Sequence, residues 1–122
     1  MAEPVRLSTQ QHRILRILWR TGEASARQVQ EALDDKLAHT TVGTMLARLE
    51  KKGVLASVAR GRERFYRPLV TESDVRRTMV SELVSTIFKG DPSALVAHLV
   101  REQEIEPGDL EEIRKLLEER TR

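Results

Sequence analysis

The stretch that decides the fold is T-T-V-G-T-M-L-A-R-L-E-K-K-G, residues 40–53. Val42, Met45, Leu46 and Leu49 stand at i, i+3, i+4 and i+7, the spacing of one helix face. The opposite face carries Thr40, Thr44, Arg48 and Lys51, with Thr41 on its flank. The spacing predicts a helix from near Thr40 to just before Gly53, apolar on one side and cationic and hydroxyl-rich on the other.

Two shorter helices are predicted upstream. Ser8 opens the first with the capping box S-T-Q-Q, in which serine and glutamine each satisfy an amide of the other's backbone. Ile14, Leu15 and Leu18 form its apolar stripe, with Trp19 at the edge and Gly22 as the stop. Ser25 opens the second with S-A-R-Q. Val29, Ala32 and Leu33 make its stripe, and Asp34, Asp35 and Lys36 its exit. Beyond Gly53 the period changes to two: Val54, Ala56 and Val58 alternate with Leu55, Ser57 and Ala59. R-G-R-E-R-F-Y-R-P follows, with Gly61 as the turn and Pro68 as the end of the return strand. This pattern predicts a β-hairpin tipped by Arg60, Arg62 and Arg64.

From Thr71 the helical period returns. T-E-S-D is a third cap, and Asp91-Pro92 and Glu106-Pro107 are cap-plus-proline starts for two more helices. Val80, Leu83, Val84 and Ile87, then Leu95 and Leu99, then Leu110, Ile113 and Leu117 give each helix an apolar stripe. Too few residues lie here for a free-standing core. The expectation is that these stripes close against a second copy of the chain, with Met79 and Phe88 as core residues. The predicted fold is mainly α with a small β-hairpin: a winged helix-turn-helix over residues 1–70, then a helical dimerisation region over residues 71–122.

Charge divides in the same way. Residues 1–70 hold 13 Lys plus Arg against 7 Asp plus Glu, and residues 71–122 hold 8 against 12, so the first part is cationic and the second anionic. Taken alone, Arg48 and Lys51 fit any solvated helix face, and three arginines at a hairpin fit edge-strand protection. In this order, a cationic third helix followed by a basic hairpin points to double-stranded DNA. The third helix is expected in the major groove, with Arg48 toward a guanine edge and Lys51 toward phosphate. Thr40, Thr41 and Thr44 line that face, Ser25 joins the candidate set at the second helix, and the hairpin arginines suit the backbone or a narrow minor groove.

The stretches L-S-T-Q-Q-H-R-I-L-R-I-L-W, T-T-V-G-T-M-L-A-R-L-E-K-K-G, G-R-E-R-F-Y-R-P and F-K-G-D-P-S-A-L-V, in this order, resemble the penicillinase repressor family of bacterial winged-helix proteins. The resemblance implies a transcriptional repressor that binds an inverted-repeat operator as a homodimer and is released by an upstream signal. It also implies that Thr41, Thr44 and Arg48 occupy DNA-contact positions and that Arg60 and Arg62 lie in the wing. Gly43 stands where some relatives carry a longer side chain. Family repressors of β-lactamase are cleaved by a signal-activated protease within the helix matching S-A-L-V-A-H-L-V. The bond aligned with their Asn-Phe is His98-Leu99 here. Copper-responsive relatives use paired cysteines, and this chain has no cysteine.

Other classes are disfavoured. An enzyme is not expected: His12, His39 and His98 are scattered, no glycine-rich phosphate loop or H-E-x-x-H occurs, and Glu111, Glu112, Glu118 and Glu119 are ordinary helix charges. No metal site or cofactor is expected. No run is apolar enough for a signal peptide or a membrane span, so the cytoplasm is the expected compartment. Two rivals stand: a winged helix used only for protein contact, and a repressor that senses a small molecule in a pocket. Aromatic residues at 3% of the chain weigh against the pocket.

Overall fold

The computed structural model describes residues 6–33 and 37–121. The expected exit of the second helix, Asp34, Asp35 and Lys36, lies outside them. Among the described residues, six helices and a three-stranded antiparallel sheet run in the order α1 (Thr9–Thr21), β1 (Ala24–Ser25), α2 (Ala26–Ala32), α3 (His39–Lys51), β2 (Leu55–Arg60), β3 (Glu63–Pro68), α4 (Glu72–Ile87), α5 (Pro92–Arg101) and α6 (Pro107–Arg120).

The predicted starts at Ser8, Ser25, Thr71 and Asp91 form as hydrogen-bonded caps. The Gln11 amide donates to the Ser8 hydroxyl at 3.1 Å, and the Ser8 amide donates to the Gln11 side chain at 3.0 Å. Ser25 and Gln28 repeat the exchange at 3.2 and 2.9 Å. The Thr71 hydroxyl accepts from the Asp74 amide, and Asp91 accepts from the Ser93 amide. Helix α3 stops by a different device. Gly53 takes φ +83°, its amide donates to the Glu50 carbonyl, and the Val54 amide donates to the Leu49 carbonyl at 3.0 Å. That left-handed turn favours glycine and sends the chain straight into β2.

The core of the first part is aliphatic. Ile14, Leu15, Leu18, Val29, Val42, Leu46, Leu49 and Leu55 are fully buried in one cluster, with Trp19, Met45 and Val70 packed against it. Ala32, expected in the α2 stripe, is exposed, while Val29 and Leu33 are buried. The sheet order is β1-β3-β2. Arg60 pairs with Glu63 across the two-residue turn Gly61-Arg62. Gly61 has φ +64° and Arg62 does not share the positive sign, as in a type II′ hairpin turn. The two-residue strand β1 pairs Ala24 with Tyr66 and Ser25 with Phe65, so the ribbon is fastened to the segment that enters α2.

The chain divides into two compact units inside α4, between Met79 and Val80, where the sequence pointed to Thr71. The first turn of α4 carries Val75, which is fully buried. Just before it, the Trp19 indole N–H donates to the Val70 carbonyl at 2.9 Å. The second unit has no fully buried side chain among its described residues. Val84, Leu95 and Leu99 are half-buried. Val80, Leu83, Ile87, Leu110, Ile113 and Leu117 are exposed. Met79 and Phe88 are half-buried, and the Phe88 ring lies 5.9 Å from the exposed imidazole of His98.

The division of α3 into a packed and an open face gives a direct test. Leu46→Ala is expected to cost about 2–5 kcal/mol in urea unfolding, through lost burial and the cavity left behind. Thr44→Ala, on the open face of the same helix, should stay within about 0.5 kcal/mol.

Candidate nucleic-acid interface

Burial of Val42, Leu46 and Leu49 fixes what α3 displays. His39, Thr40, Thr41, Thr44, Ala47, Arg48 and Lys51 are all exposed along the other side. Arg48 and Lys51 make no hydrogen bond or ion pair with any described residue, so their charges are uncommitted. The Thr44 hydroxyl donates back to the Thr40 carbonyl at 2.9 Å, which leaves its methyl group and acceptor lone pairs outward. At the N-terminus of α3 the cap residue is Ala38, which has no side chain to satisfy the first amides. Those amides and the helix dipole together favour an anion.

The wing arginines differ from one another. Arg60 forms a bidentate ion pair with Glu23 and stacks over Phe65, 5.1 Å from its ring centroid. Arg64 donates to the Ser57 hydroxyl at 3.0 Å, and Ser57 in turn donates to Glu50 on α3. This chain of contacts ties the wing to the third helix. Arg62, in the turn itself, is exposed and makes no such bond to a described residue.

A crevice of about 150 Å³ lies between the wing and the starts of α2 and α3. Its lining is Ser25, Ala26, Arg27, His39, Arg62, Glu63, Arg64 and Tyr66. Burial raises the pKa of the Tyr66 phenol, the nearby Glu50 charge adds to the rise, and Arg64 partly opposes it. Tyr66 is therefore a neutral hydrogen-bonding group in a cationic cleft at ordinary pH.

Ser25 leaves the set of candidate contacts. It is 2% exposed, its hydroxyl accepts from the Gln28 amide and its backbone sits in β1, so its work is to start α2. Sequence reasoning missed Arg27 and His39. Both are exposed and line the crevice, but only the folding of β3 against β1 brings them beside Arg62 and Arg64. The i, i+2 placement of Arg27 after the Ser25 cap was a usable signal. No group of three His, Asp or Glu suited to a metal ion occurs among the described residues.

The model of the family described as "Penicillinase repressor" matches residues 7–119. The chain belongs to the penicillinase repressor family. It is a winged-helix transcriptional repressor by that membership. "Transcriptional regulator BlaI" of Mycobacterium tuberculosis is 35% identical over 104 residues, covering 82% of this chain and 75% of that protein. "Methicillin resistance regulatory protein MecI" of Staphylococcus aureus is 26% identical over 113 residues, covering 91% and 92%. Among solved structures, the monomeric form of Bacillus licheniformis BlaI in complex with the blaP half-operator superposes with a TM-score of 0.51 at 29% identity. It covers 61% of this chain and 93% of that one. These relatives are regulators rather than enzymes.

The capping role assigned to Ser25 has its own readout. Ser25→Ala should lower unfolding stability by about 1 kcal/mol through loss of the N-cap. Ser25→Thr, which can still cap without adding a charge to a buried site, should retain most of that stability. Equal losses in both would take the cap away as the explanation.

Proposed function

We propose that this repressor binds an inverted-repeat DNA operator as a homodimer, with α3 in the major groove and the β2–β3 wing on the adjacent backbone. The observation that carries the reading is the pairing of an uncommitted Arg48 and Lys51 on the open face of α3 with an uncommitted Arg62 at the wing tip. A B-form major groove about 12 Å wide admits one helix. Arg48, well inside the helix, is assigned to a base edge. Thr41 and Thr44 flank it, with the Thr44 methyl toward a thymine. Thr40, at the helix start, and Lys51, at its end, are assigned to phosphates. Arg62 and Arg64 carry the wing's backbone contact across the cationic crevice. Arg60 serves chiefly to brace the ribbon, since Glu23 already holds it. The half-operator complex of the B. licheniformis relative supports the same use of the fold.

The homodimer is supported by the second unit. A water-exposed array of Val80, Leu83, Ile87, Leu110, Ile113 and Leu117, with no fully buried side chain among the described residues of this unit, is the composition of an interface rather than of a finished surface. Two copies related by a two-fold axis would set two α3 helices one DNA turn apart, about 34 Å. Release by an upstream signal completes the proposed cycle. A protease acting at His98–Leu99 would meet a bond inside α5, so cleavage there requires that helix to open locally.

Titrations on a matched operator and a scrambled duplex test the two assignments separately. Arg48→Ala is expected to cost about 1–3 kcal/mol on the operator and to narrow the gap between the two duplexes. Arg62→Ala should weaken both duplexes alike and reduce the slope of log K against log salt by about 1. Unchanged binding in both variants would remove α3 and the wing as the DNA surface.

The dimer is tested by Leu83→Asp. Sedimentation at micromolar concentration should show monomers, while circular dichroism keeps the signature of a folded winged helix. A variant that still sediments as a dimer moves the interface elsewhere.

A further inference from the structure

A second, larger cavity of about 420 Å³ opens among α1, the end of α2 and the first residue of α4, with no residue of α3 or the wing in its lining. Its size falls in the range of small-molecule sites, roughly 300–1,000 Å³. Arg13, Arg16 and Arg20 stand at i, i+3 and i+7 on α1 and all line it, and Trp19 and Leu33 contribute apolar wall. Arg13 donates to the Gln10 side chain at 2.8 Å. Arg16 and Arg20 are exposed and make no hydrogen bond or ion pair with a described residue. Two such charges at i, i+4 repel each other, and a bound anion relieves that repulsion. The carboxylate in the lining, Glu72, is already paired with Arg76 at 2.6 Å, so it does not answer them.

We propose that this cavity binds a small organic anion with a flat apolar body, of the aromatic carboxylate class. Its carboxylate sits on Arg16 and Arg20 and its ring lies against Trp19 and Leu33. Guanidinium groups match a carboxylate through parallel N–H donors, and a tryptophan face accepts a flat ring. The cavity also touches a joint of the fold. Trp19 donates to the Val70 carbonyl, and the next residue, Thr71, caps α4. A ligand that moves the indole acts on the start of the helix that goes on to carry Val80, Leu83 and Ile87. Occupancy changes duplex affinity to the extent that the ligand prefers one of the free and DNA-bound forms. That regulatory half rests on the DNA-binding reading, whereas the binding site does not.

Trp19 is the sole tryptophan of the chain. One indole N–H signal in a proton–nitrogen NMR spectrum therefore reports on the cavity without assignment. Benzoate and phenylacetate are titrated into the full chain, beside neutral benzamide and inorganic phosphate. The expected result is a saturable shift of that signal with the two carboxylates, with Kd below about 1 mM. The double variant Arg16→Gln, Arg20→Gln should weaken it roughly tenfold with the rest of the spectrum intact. Absence of saturation up to about 10 mM, or equal binding by the double variant, overturns the site. An equal response to benzamide removes the anion requirement, and an equal response to phosphate removes the apolar one; either overturns the ligand class. Saturation with unchanged affinity for a duplex that the chain demonstrably binds overturns the regulatory half.

Discussion

Burial of Val42, Leu46 and Leu49 against the aliphatic cluster is the contact on which the proposed DNA-facing surface depends. Side chains on a helix advance by about 100° per residue, so pinning one stripe inside pins the opposite stripe outside. Arg48 and Lys51 face solvent because Val42, Leu46 and Leu49, on the other side of α3, are fully buried. The glycine turn after Lys52 then converts this rotation into a position for the wing. It joins α3 to β2 with no slack, and the Glu50–Ser57–Arg64 chain holds the ribbon to the helix it adjoins. A presentation this constrained costs little ordering on binding, which is where preorganised surfaces gain affinity.

The same rigidity divides the arginines by task. Arg60, Arg62 and Arg64 look equivalent along the chain, yet the hairpin register separates them. Arg60 shares a face with Phe65 and reaches Glu23, Arg64 shares the inner face with Tyr66, and Arg62 sits in the turn between. An exposed pair such as Arg60–Glu23 contributes little to stability, at most about 1 kcal/mol. Its effect is on geometry, since it orients the ribbon at one corner while β1 fastens it along the other strand.

Local chemistry made much of this legible in the sequence. The serine–glutamine boxes, the aspartate-proline start of α5, the glycine stop of α3 and the 3.6-residue stripes are short-range patterns, and each formed where its residues stand. What the sequence concealed is long-range. Strand β1 is two residues long, too short to show a period, and exists because β3 offers it a partner some forty residues away. Its formation buries Ser25, whose capping role the sequence already showed, and so takes it off the surface of candidate contacts. The crevice residues Arg27 and His39 meet Arg62 only across the completed sheet. Ala32 followed the α2 period and is nonetheless exposed, because a seven-residue helix buries only what its packing partners cover.

The two ends of the chain solve opposite problems. Among the described residues the first unit fully buries nine aliphatic side chains, eight of them in one cluster. The second buries none completely among its described residues, so its helices gain little stability in water from packing on one another. Under the proposed dimer, ordering those helices and pairing two chains are one event, and stability of the second unit depends on protein concentration. That dependence suits the small number of uncommitted cations on each reading surface. Lys51, Arg62 and Arg64, the cations assigned to phosphate under that proposal, neutralise few phosphates, so one copy gains little from counterion release. Joining two copies makes the second contact intramolecular and multiplies affinity without adding a residue to either surface. Under the proposed dimer, control over the apolar stripes of α4–α6 is control over operator occupancy, because each copy offers few cations to phosphate.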